Sequence, residues 1–101
     1  MSTVVEYTMR TKPEHYDSVL AEYVRIADRV GIENRTERLI LVVGDRASST
    51  VRGIGVFGSR AEADAVVRTN VFAELHAAVD GKLAEPPSRT EMDLVHVFIK
   101  P

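Results

Sequence analysis

The segment 57–79, FGSRAEADAVVRTNVFAELHAAV, constrains the fold more than any other part of this chain. Phe57 closes an apolar run typical of a strand. Ser59 followed by Glu62 has the spacing of a capping box, in which each side chain bonds the backbone N–H of the other residue. One helix face then carries apolar residues and a histidine: Phe72, Leu75, His76, Val79 and Leu83. The segment therefore predicts a strand followed by a helix in two parts.

The remaining strands follow from hydrophobic spacing and turn signals. Altogether four strands are predicted, at residues 4–9, 39–43, 51–57 and 92–99. The run 39–43 is continuously apolar, which is typical of a strand buried on both faces. Pro86 and Pro87 are expected to end the preceding helix before the last strand begins.

The first helix has its own start and stop signals. Thr11 with Glu14 three residues later predicts the N-cap, and Pro13 fits the first turn. Gly31 predicts a left-handed end of this helix. Its apolar residues recur at helical spacing: Tyr16, Val19, Leu20, Tyr23, Val24, Ala27 and Val30.

The order β-α-β-β-α-β predicts a single ferredoxin-like α+β domain over residues 1–101, a split βαβ sandwich with an antiparallel sheet. Helices cover one face of such a sheet, whereas residues 39–43 and 92–99 are apolar on both faces. The uncovered face would exceed the apolar patch that soluble monomers normally expose. We therefore expect a twofold homodimer whose sheets pack face to face.

Composition excludes several classes of function. Thirteen basic and 15 acidic residues are mixed along the chain, so we expect neither a nucleic-acid nor a membrane partner. The absence of cysteine excludes disulfides, thiolate metal sites and a cysteine nucleophile. No zinc-protease motif, phosphate-binding glycine loop or nucleophile elbow is present, and we expect no metal and no cofactor. Without an export signal or a long apolar run, the expected location is the cytoplasm.

Three features together resemble a known superfamily. They are the aromatic Phe57 closing the third strand, the segment NVFAELH at 70–76, and the Glu-Pro-Pro step at 85–87. In these the chain resembles the dimeric α+β barrel superfamily, and within it is most similar to the antibiotic-biosynthesis-monooxygenase-type domains. The resemblance covers nearly the whole chain. It implies a pocket between helices and sheet, and a cofactor-independent monooxygenase acting on a small aromatic or polyketide-like substrate.

In such enzymes the substrate's own enolate reacts with oxygen, so the protein supplies an apolar cage and groups that stabilise the anion. Tyr7 and His76 are the catalytic candidates, because they are the polar groups expected in an apolar pocket. The ligand-binding candidates are Tyr7, Tyr23, Gly55, Phe57, Phe72 and His76. Ordinary core packing is the alternative for the aromatic members. Gly53 and Gly55 open space either for a ligand or for a close helix.

Two other functions remain open for this chain. The first is a non-catalytic binding or regulatory module for a hydrophobic metabolite. The second is a haem-degrading protein with His76 as iron ligand; relatives of that kind carry Asn and Trp where this chain has Tyr7 and Phe57. A buried structural histidine bonded to Tyr7 or to backbone is the alternative for His76. His96 is expected at an interface and His15 in solvent.

Overall fold

The computed structural model describes residues 2–33 and 37–101, which form one four-stranded antiparallel sheet covered by three α-helices. The strands are β1 (Thr3–Arg10), β2 (Glu37–Asp45), β3 (Thr50–Phe57) and β4 (Ser88–Asp93). The helices are α1 (Tyr16–Glu33), α2 (Arg60–Val66) and α3 (Asn70–Val79), and a 3-10 turn, Pro13–His15, precedes α1. The strand order β2-β3-β1-β4 confirms the predicted ferredoxin-like α+β fold.

The core lies between the sheet and the helices. On β1 every second side chain is buried, as the alternation of residues 4–9 predicts. Tyr7 stands at the centre of this face, paired with Gly53 of β3 on one side and with Arg89 of β4 on the other. This register places the Tyr7 side chain between Gly53, which has no side chain, and the cationic Arg89.

The caps of α2 and α3 explain why the second helix is divided. Ser59 Oγ accepts a hydrogen bond from the Glu62 N–H at 3.2 Å, which confirms the predicted cap of α2. Thr69 Oγ1 accepts one from the Phe72 N–H at 3.2 Å and starts α3. Because Thr69 is extended at this cap, the chain changes direction between the two helices.

The predicted ends of α1 were wrong. Thr11 is not an N-cap, because its backbone N–H bonds the Ser49 carbonyl at 2.8 Å and the residue bridges to Leu83. The chain therefore turns into a helix only after Lys12. Gly31 does not end α1 in a left-handed conformation either, since the helix continues through it to Glu33.

The prediction that residues 39–43 are buried on both faces was also wrong for the single chain. Leu39, Leu41 and Val43 are about half exposed. The reason is that the helices cover only one face of the sheet, the face that carries Ile40 and Val42.

The last strand lies earlier than the predicted residues 92–99. Thr3, the first residue of β1, pairs with Asp93, and the Leu94 N–H bonds the Ser2 carbonyl at 2.9 Å. Residues 94–101 form no strand in the described structure. The helix before β4 also ends early, at Val79 and not at the two prolines, because Gly81 turns the chain with a φ of 76°.

Over the part of the chain that the structure describes, none of the helices combines the length and apolar character needed to cross a bilayer.

Candidate active site

An apolar cavity of about 70 Å³ lies between the sheet and the helices and opens partly to solvent. Five of the six predicted ligand-binding residues line it: Tyr7, Tyr23, Gly55, Phe57 and Phe72. Pockets that enclose drug-sized ligands measure roughly 300–1,000 Å³. The cavity as it stands therefore admits part of a small ligand, and a larger one must extend through the mouth or displace Phe72 and Val67.

Tyr7 is the polar group at the centre of the cavity wall. Its ring meets the Phe72 ring edge to face, with 5.3 Å between centroids, and lies 6.5 Å from the Tyr23 ring. Burial raises the pKa of Tyr7 to about 12, and the positive charge of Arg89 opposes that rise. The phenol is therefore neutral at physiological pH and keeps its proton for donation.

His76 lies behind Tyr7 and not in the cavity itself. Its Nε2 is 2.8 Å from the Tyr7 Oη, and its ring is 4.8 Å from the Phe72 ring. The alternative of a buried structural histidine has the right partner, Tyr7, but His76 is exposed and borders an open cleft that Asp80 and Glu85 also line. The pair thus connects an apolar cavity on one side with solvent on the other.

Arg89 lines the same cavity, and the sequence reasoning missed it. Its guanidinium donates from Nη2 to the Ala63 carbonyl at 3.2 Å and from Nη1 to the Glu91 carboxylate at 2.7 Å. The polar run at 88–91 gives no apolar alternation, so it was not predicted as a strand. The signal available in the sequence was the pair Arg89 and Glu91, which are two residues apart and therefore lie on the same face of a strand.

Two carboxyl groups beside Arg89, those of Asp64 and Glu91, shift each other's pKa in opposite directions. The hydrogen bond to Glu91 raises the pKa of Asp64, whereas the same bond, together with one from Arg89, lowers the pKa of Glu91. Arg60 adds a second cation, 3.1 Å from the Glu91 carboxylate. These contacts hold the Arg89 side chain between β4 and α2.

Both strand glycines, Gly53 and Gly55, line the cavity, and Gly53 in addition leaves space for a helix side chain. A Cβ at Gly53 would lie 2.2 Å from the Tyr23 Oη, so this glycine makes room for a side chain of α1. In that position the Tyr23 hydroxyl donates to the Tyr7 carbonyl at 3.2 Å. Gly55 lines the cavity. Both alternatives offered by the sequence, a close helix and ligand space, are thus present.

The apolar cavity does not fit a haem. Its volume of about 70 Å³ is too small for a porphyrin, and His76, whose Nε2 is engaged by Tyr7, lies outside it. Across residues 2–33 and 37–101, no group of three or more His, Cys, Asp or Glu side chains is placed to hold a metal ion.

Neither a protein-family model nor a curated protein matches this sequence. Solved structures do match it. A protein named as an antibiotic biosynthesis monooxygenase is 21% identical, with a TM-score of 0.79 over 95% of this chain and 100% of its own. A Caulobacter crescentus protein provisionally given the same name is 14% identical, with a TM-score of 0.84 over 94% of this chain and 91% of its own.

A Mycobacterium tuberculosis protein is 12% identical, with a TM-score of 0.82 over 96% of this chain and 98% of its own. At these identities the likeness establishes the fold, that of a ferredoxin-like α+β domain. More particularly, the chain resembles the antibiotic biosynthesis monooxygenase-like proteins, as its sequence predicts.

Proposed function

We propose that this protein is a cofactor-independent monooxygenase that oxidises an activated CH₂ group of a small aromatic substrate. The hydrogen bond of 2.8 Å between the Tyr7 Oη and the His76 Nε2, at the wall of an apolar cavity, is the observation that carries the proposal. Structural neighbours named as monooxygenases give it further support.

The first step is removal of a proton from the substrate. The Tyr7 oxygen accepts the proton of the CH₂ group while the Tyr7 hydroxyl proton passes to the His76 Nε2. Tyr7 thus stays neutral, as its raised pKa favours, and the positive charge forms on His76. Imidazole is suited to this role because one ring nitrogen can accept a proton while the other keeps its own. Since His76 is exposed, it can return the proton to water.

The substrate anion left in the cavity needs a counter-charge. Arg89 supplies it, because this residue lines the cavity and its guanidinium is held in place by Glu91 and the Ala63 carbonyl. A fixed cation beside an apolar cavity stabilises a developing anion more strongly than it would in bulk water.

Molecular oxygen is the oxidant and the only co-reactant. The substrate carbanion forms a C–O bond to O₂, and the resulting peroxide takes up one proton. Loss of water, with departure of the second hydrogen of the carbon, then gives a ketone. The balance is R₂CH₂ + O₂ → R₂C=O + H₂O, so the carbon is oxidised by four electrons and O₂ accepts all four.

The size of the cavity limits the substrate. A volume of about 70 Å³ takes one ring at most, so the reacting CH₂ group lies at a ring that enters beside Phe72. The rest of the molecule extends through the mouth.

Oxygen consumption with two carbon acids tests the proposal. 2-Indanone carries its CH₂ groups next to a single benzene ring, whereas anthrone has three fused rings. We expect turnover of 2-indanone to exceed that of anthrone. Tyr7→Phe and His76→Ala should each lower the rate about 100-fold or more, as expected for loss of a general acid-base group.

His15→Ala is the matched control, because this histidine lies on the 3-10 turn before α1 and outside the cavity lining. It should leave the rate unchanged. Saturable binding of both compounds without oxygen uptake would contradict the enzyme and support a binding module.

We also propose that the protein acts as a homodimer. The sheet face opposite the helices carries an apolar patch: Val4, Leu39, Leu41, Ile54, Val56 and Met92. One ion pair, Glu6–Arg52 at 3.2 Å, lies among them. A second copy would cover this patch with the same residues, as a twofold interface does. Light scattering should give twice 11.2 kDa; a monomer at micromolar concentration would contradict the proposal.

A further inference from the structure

We propose that α2 is a lid over the apolar cavity, and that Arg60 and Arg89 latch it to β4 and so decide how readily a ligand enters. Such a lid controls access to the cavity. It is therefore independent of whether the bound molecule is then oxidised, as proposed above, or only held.

The cavity must widen to enclose even one aromatic ring. Its volume is about 70 Å³. A buried protein cavity that binds benzene measures about 150 Å³. The walls of the cavity are the sheet and the three helices, and Ala63, Val66 and Val67 belong to the part formed by α2 and its end. Some part of these walls must therefore move when a ligand binds.

α2 is the part of the wall that can move most easily. It is 7 residues long, against 18 in α1 and 10 in α3. Two small side chains, Ala63 and Val66, anchor it in the core. Ser59 just before it and Thr69 shortly after it have extended backbone, with ψ of 166° and 154°. Residues at the ends of an element can absorb the rotation of a hinge, so α2 can swing as a unit between these two points.

Val67 marks the place where the lid opens. It follows α2 directly, lines the cavity and is 39% exposed, so it lies at the mouth. Its neighbour Val66 also lines the cavity but is 8% exposed. Outward movement of α2 therefore widens the mouth and uncovers Val66.

Arg60 supplies one half of the latch, at the start of α2. Its Nη1 lies 3.1 Å from the Glu91 carboxylate, and its Nη2 lies 3.6 Å from the Asp93 carboxylate. Both carboxylates belong to β4. Arg60 stands outside the cavity lining, so it acts on the position of α2 without touching a ligand.

Arg89 supplies the other half, in the last turn of α2. Its Nη2 donates to the Ala63 carbonyl at 3.2 Å, and its Nη1 lies 3.7 Å from the Asp64 carboxylate. The helix dipole favours a cation near the C-terminal end of a helix. The two arginines thus hold both ends of this short helix against the same strand.

Thiol labelling tests the lid directly, because the chain has no cysteine and an introduced thiol reacts alone. Val66→Cys places the thiol under α2, and Val19→Cys places it in the core beneath α1, where the native side chain is 0% exposed. We expect N-ethylmaleimide to label Val66→Cys about 100-fold faster or more, since a local opening requires less free energy than global unfolding. That rate should not change at low urea concentrations. Equal rates for the two variants, rising together with urea, would overturn the lid.

Arg60→Gln tests the latch in the Val66→Cys background. It should raise the labelling rate about 3–10-fold, the effect expected for loss of partly exposed ion pairs. Arg60→Lys keeps the charge but offers one nitrogen in place of two, so its rate should lie between those of Arg60 and Arg60→Gln. Arg25→Gln is the matched control, because Arg25 has a similar exposure of 50% and pairs with Glu22 within α1 at 2.8 Å. An equal effect of both glutamine variants, or no effect of Arg60→Gln, would overturn the latch.

Binding of 2-indanone under argon tests whether the lid controls access. The association rate, followed by tyrosine fluorescence, should rise in Arg60→Gln by the same factor as the labelling rate. An unchanged association rate would overturn the role of α2 in access. A protein that binds 2-indanone under argon but consumes no oxygen in air would refute the monooxygenase and leave the lid intact. If 2-indanone did not bind, the proposed substrate would be contradicted, and the labelling rates would still decide the lid.

Discussion

Replacement of Gly53 by alanine should be strongly destabilising, because the space beside it is already filled. The added Cβ would lie 2.2 Å from the Oη, 2.6 Å from the Cε1 and 2.7 Å from the Cζ of Tyr23. The Tyr23 ring is buried, so it cannot move aside without disturbing the core. Overpacking of this kind costs about 1–3 kcal/mol. Loss of the hydrogen bond from Tyr23 to the Tyr7 carbonyl adds about 1 kcal/mol.

The expected loss of stability is therefore about 2–4 kcal/mol, measured as a lower midpoint of urea unfolding with an unchanged slope. In a domain of this size it corresponds to a fall in Tm of about 8 °C or more. Gly31→Ala is the control, because Gly31 is exposed within α1 and alanine favours a helix there by about 1 kcal/mol. If Gly53→Ala unfolded at the wild-type midpoint, the close packing of Tyr23 against β3 would be refuted.

Three further results are expected. The phenolate absorbance of the wild type minus that of Tyr7→Phe should titrate with a midpoint near pH 12, because burial raises the pKa of Tyr7. Since the pKa in the folded protein lies above the unfolded value of about 10, the stability that Tyr7 contributes is complete below about pH 10 and is lost as pH rises through 12. A midpoint near 10 would contradict the burial of the phenol. His76→Ala should lower the free energy of unfolding by less than about 1 kcal/mol, since water can replace an exposed imidazole. A loss above about 2 kcal/mol in a denaturant melt would show instead that His76 is part of the core. Phe57→Trp should be tolerated within about 1 kcal/mol because Phe57 borders the cavity, and a larger loss would indicate tight packing there.

Elements whose signals are local were predictable from the sequence. The alternation of β1 and the cap at Ser59 are set by neighbouring residues and appear as expected. The ends of α1 were not predictable, because distant partners decide them. The Thr11 backbone is held by Ser49 and Leu83, which lie far away in the sequence.

The candidate site was predictable only in part. Tyr7 and His76 were chosen as the polar groups near an apolar pocket, and Tyr7 was one of two partners considered for His76. The exposure of His76 follows from how α3 ends at Val79, which the prolines at 86 and 87 did not indicate. Arg89 was missed because β4 is polar on its inner face, where contacts with α2 replace the usual apolar packing.

Oxidation of 2-indanone under ¹⁸O₂ tests the central claim most directly, namely that Tyr7 and His76 serve a monooxygenase reaction. Mass spectrometry should find one ¹⁸O atom in each new ketone group and the other in water, with the wild type but not with Tyr7→Phe. No added nicotinamide, flavin or metal should be needed. Ketone oxygen derived from water, or equal incorporation by wild type and Tyr7→Phe, would contradict the account.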